Sequence, residues 1–140
     1  DRYRDFHPGG SLGRALIRVS DLMHQGAAVP LCRGETPMQD VLLSMASGRL
    51  GCVGVTDGQG VLTGIVTDGD IRRHAAAGLA GRRAEDVMTR QPKVTGPAQL
   101  AVEALALMTE KKITQLFVLD DAGRPVGVIH IHDCLRAGLA

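Results

Sequence analysis

The stretch from Leu50 to Asp57 reads LGCVGVTD, and 63 positions later the stretch from Ile113 to Asp120 reads ITQLFVLD. Both are short apolar runs, rich in strand-forming residues, that end at an aspartate. The same offset pairs further residues: Met45 with Met108, Gly60 with Gly123, Gly64 with Gly127, Asp70 with Asp133 and Arg73 with Arg136. Self-similarity at a fixed offset indicates a chain built from two copies of one structural unit.

Each copy predicts the element order β-α-β-β-α. In the first copy, Thr36 as N-cap and Pro37 as first helical residue begin a helix whose apolar residues recur at helical spacing. Apolar runs joined by Asp- and Gly-rich turns predict a hairpin, and a closing helix begins at Asp70. The predicted elements of the second copy are an extended piece at 92–95, a helix at 98–110, strands at 116–119 and 126–129, and a helix at 133–137.

A similar segment precedes each copy. Residues 19–23, ending in Asp-Leu-Met, resemble residues 84–88, ending in Asp-Val-Met, at an offset of 65. A loop tolerates the two-residue length difference. Three short strands and two helices make a core too small to stand alone, so the two sheets are expected to pack together. The predicted fold class is therefore α+β (α/β-like): two pseudo-symmetric β-α-β-β-α repeats packed through their sheets.

Composition excludes several classes of function. The chain has 140 residues, 44% hydrophobic and 22% charged, with a formal net charge of +1 and only 2% aromatic residues. This balance predicts neither nucleic-acid nor membrane binding. No apolar run approaches the ~18 residues of a membrane span. The three cysteines are far apart and form no C-x-x-C motif, which favours a reducing compartment, and we expect the cytoplasm.

The duplicated motif resembles the CBS-domain family. The resemblance rests on the Asp-Leu/Val-Met segments, the hairpins and the run from Gly64 to Arg73, GIVTDGDIRR. It covers the chain from Val19 onward and implies repeats at 19–80 and 81–140. Family members bind nucleotides or related metabolites between the two repeats and pass occupancy to an attached protein. No required cofactor is implied.

An acidic side chain near a helix start can accept hydrogen bonds from ribose hydroxyls, and a nearby hydroxyl suits phosphate. Asp70 is the candidate ribose acceptor and Thr67 its hydroxyl partner; the alternative for Asp70 is an ordinary helix charge. The second copy keeps Asp133 but has His130 where Thr67 stands, so the two sites are not expected to be equivalent. His130 and His132 also leave open a metal site, a ligand contact or solvated histidines, and we assign no metal.

The resemblance adds further candidates, since relatives also contact their ligand at the starts of two strands. The alternative for each is ordinary packing. Mapped here, these residues are Val29, Pro30, Gly51, Cys52, Val94, Thr114 and Gln115.

The head of the chain points to a narrower group. Residues 7–14, His-Pro-Gly-Gly-Ser-Leu-Gly-Arg, resemble the joint between the catalytic domain and the CBS pair in the arabinose-5-phosphate isomerase family. Residues 1–18 would then be the tail of a truncated sugar-isomerase domain and a linker. Those enzymes interconvert ribulose 5-phosphate and arabinose 5-phosphate for Kdo in lipopolysaccharide or capsule. The resemblance assigns His7 a catalytic role in the intact parent only, and we expect no isomerase activity from these 140 residues.

Three hypotheses follow. The leading one is a regulatory module that binds an adenine nucleotide or the cytidine nucleotide-sugar CMP-Kdo, attached to an N-terminal sugar-isomerase domain in a homo-oligomer. The second is an oligomerisation module without ligand sensing, using apolar surface such as residues 75–80. The third is a stand-alone CBS protein that serves another enzyme or transporter.

Overall fold

The structure, a computed structural model, describes residues 10–139 of the chain. Two short helices, α1 (Gly10–Ala15) and α2 (Val19–Leu22), and a 3₁₀ turn (Gly26–Ala28) form the lead-in of the first repeat. The first repeat continues as β1 (Leu31–Arg33), α3 (Met38–Gly48), β2 (Cys52–Thr56), β3 (Leu62–Thr67) and α4 (Asp68–Ala75).

The second repeat has the same element order. Its lead-in is α5 (Ala84–Val87) followed by a two-residue strand, β4 (Thr89–Arg90). It continues as β5 (Val94–Thr95), α6 (Ala101–Lys111), β6 (Gln115–Leu119), β7 (Pro125–His130) and α7 (Ile131–Arg136). The predicted order β-α-β-β-α is confirmed in both repeats.

Each repeat contains one small mixed sheet. The strand orders are β1-β2-β3-β4 and β5-β6-β7, with a parallel first pair and an antiparallel hairpin in each sheet. Leu31 pairs with Gly54 and Val94 with Phe117, so the strands align at the offset of 63. The two extra residues of the first repeat therefore lie before β1, in the segment that forms the 3₁₀ turn.

The lead-in of each repeat packs on the sheet of the other repeat. One core cluster joins residues of the first lead-in to the second sheet: Ile17 and Val19 with Leu116, Val118 and Ile129. The other joins the second lead-in to the first sheet: Ala84 and Val87 with Val53, Val55 and Val66. The two repeats are thus interlocked, although each is continuous in sequence.

Two glycines allow this exchange. A Cβ atom at Gly64 would lie 2.6 Å from Met88 Sδ and 2.9 Å from the carbonyl oxygen of Thr89. A Cβ atom at Gly127 would lie 2.5 Å from Met23 Sδ and 3.0 Å from the carbonyl oxygen of His24. Only a residue without a side chain lets the lead-in cross the strand so closely.

The sheets pack face to face through a third apolar cluster. Cys52, Phe117 and Val128 are its buried members, and Ile65 and Leu119 are among the partly buried residues around it. The expected shared core between the sheets is confirmed. No helix within residues 10–139 combines the length and apolar character needed to cross a membrane.

Several predicted helix starts are wrong. The closing helices α4 and α7 begin at Asp68 and Ile131, two residues before the predicted Asp70 and Asp133, because Thr67 and His130 act as their N-caps. Helix α6 begins at Ala101 rather than at 98.

The helix start predicted at Pro37 is wrong by one residue. Helix α3 begins at Met38 with Pro37, in extended backbone, as its N-cap. The hydroxyl of Thr36 instead accepts a hydrogen bond from the Arg33 backbone N–H at 3.0 Å, which closes the turn after β1. The Met38 backbone N–H donates to the carbonyl of Arg82 at 2.9 Å, so the segment before α5 takes over part of the capping.

Candidate functional site

Two buried carboxylates occupy matching positions at the ends of the hairpins. Asp70 is 2% exposed and Asp133 is 7% exposed. Each is the third residue of a short helix, α4 or α7, that follows the last strand of its repeat directly. A buried carboxylate is stable only when hydrogen bonds replace its lost hydration.

Asp70 accepts hydrogen bonds from three residues. The backbone N–H and hydroxyl of Thr67 donate at 2.9 and 3.1 Å, and the hydroxyl of Thr89 donates at 2.6 Å. The guanidinium of Arg73, one turn along α4, forms an ion pair with Oδ1, the oxygen that also accepts from Thr89, whereas Thr67 donates to Oδ2. Thr89 belongs to the lead-in of the second repeat, so this carboxylate joins the two repeats.

Asp133 has the same kind of surroundings with different side chains. The backbone N–H of His130 donates to it at 2.8 Å, and Arg136 donates at 2.6 Å. His24 Nε2 lies 3.1 and 3.0 Å from its two oxygens. His24 follows Met23 as Thr89 follows Met88, so the two contacts between repeats correspond at the offset of 65.

A cleft of about 610 Å³ lies beside Asp70. Thr67, Arg73 and Thr89 line it, and all three are bonded to Asp70, which is buried behind them. We call this the Asp70 cleft. Four of the predicted site residues line it: Gly51, Thr67, Thr114 and Gln115.

The electrostatic character of the Asp70 cleft is cationic. Its charged lining residues are Arg72, Arg73, Lys93 and Lys112, opposed by Asp68 alone among those on the wall. Apolar wall is supplied by Ile65, Pro92 and Ile113. Gln115 Nε2 donates to the carbonyl of Leu50 at 2.6 Å, which fixes the orientation of that amide beside the cleft. The arrangement suits a small anion that carries an apolar or planar group.

The other predicted positions have different surroundings. Val29, Cys52 and Val94 belong to the apolar cluster between the sheets. The carbonyl of Pro30 accepts from the Gly54 backbone N–H at 2.8 Å, next to β1. Burial, together with the charge of Asp68, raises the pKa of the Cys52 thiol to about 12, so it stays protonated at neutral pH. His7 lies outside the described residues.

The histidines of the second repeat contact each other. The rings of His130 and His132 have centroids 4.6 Å apart, and the backbone N–H of His132 donates to His130 Nδ1 at 3.0 Å. Burial, followed by the neighbouring His132, lowers the pKa of His130. Among residues 10–139, no group of three potential ligands could hold a metal ion.

Sequence reasoning missed the residues that come from the opposite repeat or carry charge into the cleft. Alignment at offset 65 pairs His24 with Thr89 directly after the Asp-Leu/Val-Met segments, and this was the available indication of a shared role. Among the four cationic residues of the cleft, Arg73 had a similar indication, since the offset of 63 pairs it with Arg136, whereas Arg72 and Lys93 had none.

Comparison with known proteins is consistent with this architecture. Arabinose 5-phosphate isomerase KdsD of Pseudomonas aeruginosa is 43% identical over 136 residues, which make up 95% of this chain and 42% of that enzyme. The chain thus spans less than half of that relative's length.

Solved structures show the same fold. CBSX2 of Arabidopsis thaliana, solved in complex with AMP, superposes with a TM-score of 0.77 at 24% identity, covering 88% of this chain and 96% of CBSX2. The CBS pair of MJ0100, in complex with 5'-methylthioadenosine and S-adenosyl-L-methionine, gives 0.78 at 21% identity, covering 86% and 94%. The CBS domain family matches residues 19–77 and 84–140, and the chain therefore belongs to the CBS-domain family as a tandem pair.

Proposed function

We propose that this pair is the regulatory part of an arabinose 5-phosphate isomerase and that it senses a nucleotide or nucleotide-sugar in the Asp70 cleft. The observation that carries the proposal is the cleft itself: about 610 Å³, with hydroxyls on one wall and four cationic side chains around it. Structural neighbours with this fold are complexes with AMP and with S-adenosyl-L-methionine.

Each part of a nucleotide has a candidate partner. The four cationic side chains suit phosphate groups, and the apolar wall suits a base. A ribose reaches Asp70 by replacing the hydroxyl of Thr89 or the guanidinium of Arg73, because both now occupy the carboxylate. Where the ribose replaces Thr89, binding exchanges a contact between repeats for a contact with ligand, which gives occupancy a route to the second lead-in.

The relation to the isomerase rests on similarity to KdsD. Since the chain matches 42% of that enzyme, the remainder would supply the sugar-isomerase domain. In such a parent, His7 would belong to the active site, and the reaction would interconvert ribulose 5-phosphate and arabinose 5-phosphate for Kdo synthesis in the cytoplasm. The pair would respond to an adenine nucleotide or to CMP-Kdo, which is an end product of that chemistry.

Thermal unfolding with AMP, ATP and CMP-Kdo tests the sensing proposal. A ligand present at a hundred times its Kd adds about 2.7 kcal/mol to the free energy of unfolding. Lys112→Gln removes a cation from the cleft wall and should weaken binding about fivefold, whereas Lys111→Gln, an exposed neighbour off the wall, should leave the affinity unchanged. Failure of all three compounds to raise the melting temperature contradicts the proposal.

A second candidate function is assembly of subunits, and one observation favours it. A groove of about 840 Å³ lies between the start of α3 and the segment before α5, and Leu43 on its wall is 64% exposed. Light scattering of the wild type and of Leu43→Asp, over a hundredfold range of concentration, tests this function. A ligand-free dimer that Leu43→Asp dissociates, together with no nucleotide binding, favours assembly over sensing.

A further inference from the structure

The surroundings of Asp133 differ from those of Asp70 in one consistent way. Three positions around Asp70 hold uncharged residues, Thr67, Gly69 and Thr89, whose counterparts are His130, His132 and His24. We call these three histidines the histidine cluster. Its members reach the same carboxylate region from β7, from α7 and from the lead-in of the first repeat.

Around Asp133, two of the arginine and lysine residues found around Asp70 are replaced by uncharged residues. Arg72 and Lys93 line the Asp70 cleft, and at the offset of 63 their counterparts are Leu135 and Pro30. Arg136 keeps the position of Arg73 and pairs with Asp133. The surroundings of Asp133 therefore have two fixed positive charges fewer than those of Asp70 and, with Ile131 in place of Asp68, one fixed negative charge fewer. They have in addition three groups that become positive by taking up a proton.

The cluster is accessible to a solute. The side chain of His24 is 35% exposed and that of Arg136 is 67% exposed, whereas Asp133 behind them is 7% exposed. Asp133 already accepts hydrogen bonds from His130, His24 and Arg136. An incoming anion would meet imidazole and guanidinium groups first.

Burial, and after it the neighbouring groups, favour the neutral state of His130 and lower its pKa. Its Nδ1 accepts the backbone N–H of His132, which places the ring proton on Nε2 in the neutral form. The charged and titratable groups around it are His132, Asp133, Arg136 and His24; of these only Asp133 favours the charged ring. A bound anion would add a second negative charge beside that of Asp133.

From this geometry we propose that the histidine cluster and Arg136 form a second, proton-linked oxyanion site, which takes the phosphate or sulfate group of a small molecule when the solution acidifies. The inference extends the proposed sensing function to the second repeat and rests on it. Linkage is reciprocal: protonation strengthens anion binding, and the anion raises the pKa of His130 by the same coupling. The Asp70 cleft, whose cations are Arg and Lys, should not share this dependence on pH.

The test uses sulfate, which keeps two negative charges across the pH range of interest. Histidine ring resonances of the 140-residue chain are followed by NMR from about pH 8 to about pH 5, with sulfate or with chloride at equal ionic strength. Sulfate should raise the pKa of His130 by about half a unit or more. His74, which lies on α4 of the other repeat, is the internal control and should not move.

A substitution tests whether the histidine cluster, and not another part of the protein, accounts for the pH dependence of sulfate binding. His130→Thr places the residue of the Asp70 side at this position, and a threonine hydroxyl can cap α7 as Thr67 caps α4. Sulfate read at the His24 and His132 resonances should bind about tenfold more tightly at pH 5.5 than at pH 8 in the wild type, and less than about threefold more tightly in the variant.

The outcomes distinguish the two proposals. If sulfate leaves the pKa of His130 unchanged in the wild type, the proton-linked site is wrong, whatever nucleotides do at the Asp70 cleft. If sulfate shifts His130 while AMP, ATP and CMP-Kdo fail to bind, the oxyanion site stands and the sensing function fails.

Discussion

The two ends of this molecule repeat one hydrogen-bonding pattern with two sets of side chains. Around Asp70 the partners are Thr67, Thr89 and Arg73; around Asp133 they are His130, His24 and Arg136. The backbone cap, the arginine one turn later and the contact from the opposite lead-in occur in both. The comparison teaches that the fold specifies a buried carboxylate in each repeat, while the side chains that bond to it differ in charge and in their ability to take up a proton.

The glycines under the lead-ins should give the largest effect. Gly127→Val places atoms 2.5 Å or less from Met23 and near the backbone of His24, so we expect a loss of about 3 kcal/mol in the free energy of unfolding. Gly64→Val should cost about as much, because Met88 and Thr89 lie equally close. Urea unfolding measures both.

Gly48→Ala is the matched control for these two substitutions, since a Cβ there meets no atom within 4 Å. It should be neutral or stabilising by up to about 1 kcal/mol. A large cost at only one of Gly64 and Gly127 would show that the two lead-in contacts are not equivalent.

Substitutions at the buried carboxylate Asp70 and its partner Thr89 should give the next largest loss of stability. Asp70→Asn keeps the shape of the side chain but cannot accept all four of its hydrogen bonds, and it should cost about 2 kcal/mol. Thr89→Val removes one donor and should cost about 1 kcal/mol. The double variant should cost less than the sum, because the two residues share one bond. Additive losses in urea unfolding would mean that the contact between repeats contributes little.

The smallest effect is a dependence of stability on pH that only one end shows. His130 has a lowered pKa in the folded chain, so its contribution is present above the ordinary value of about 6.5 and is lost as the pH falls below it. Between about pH 7.5 and about pH 5.5 the wild type should therefore lose more stability than His130→Thr. Thermal unfolding in chloride buffers measures this, and an equal loss in both proteins would contradict it.

Much of the fold was accessible from the sequence because a repeat tests each assignment twice. The hairpins and long helices were predicted since their apolar spacing recurs at the offset of 63. The exchange of lead-ins was not, because the contacts of Val19 and Ala84 join segments of different repeats, and periodicity within a segment says nothing about its partner. Strand β4 has only two residues, too few for an alternating pattern to be visible.

In the candidate site too, some residues were predictable from the sequence and others depend on the tertiary fold. Thr67, Gly51, Thr114 and Gln115 were predicted and do line the Asp70 cleft. Cys52 resembles them in sequence position, but its alternation along β2 turns it to the core between the sheets. His24 is 109 positions from Asp133, and a hydrogen bond over that separation depends on the tertiary fold.

The exchange of lead-ins also makes spatial order differ from chain order. Helix α2 comes first in the chain, yet Val19 is anchored in the core of the C-terminal half. A domain joined upstream would therefore be tethered mechanically to the core of the second repeat, beside the histidine cluster. Its movement would reach the first repeat indirectly, although that repeat is nearer in sequence.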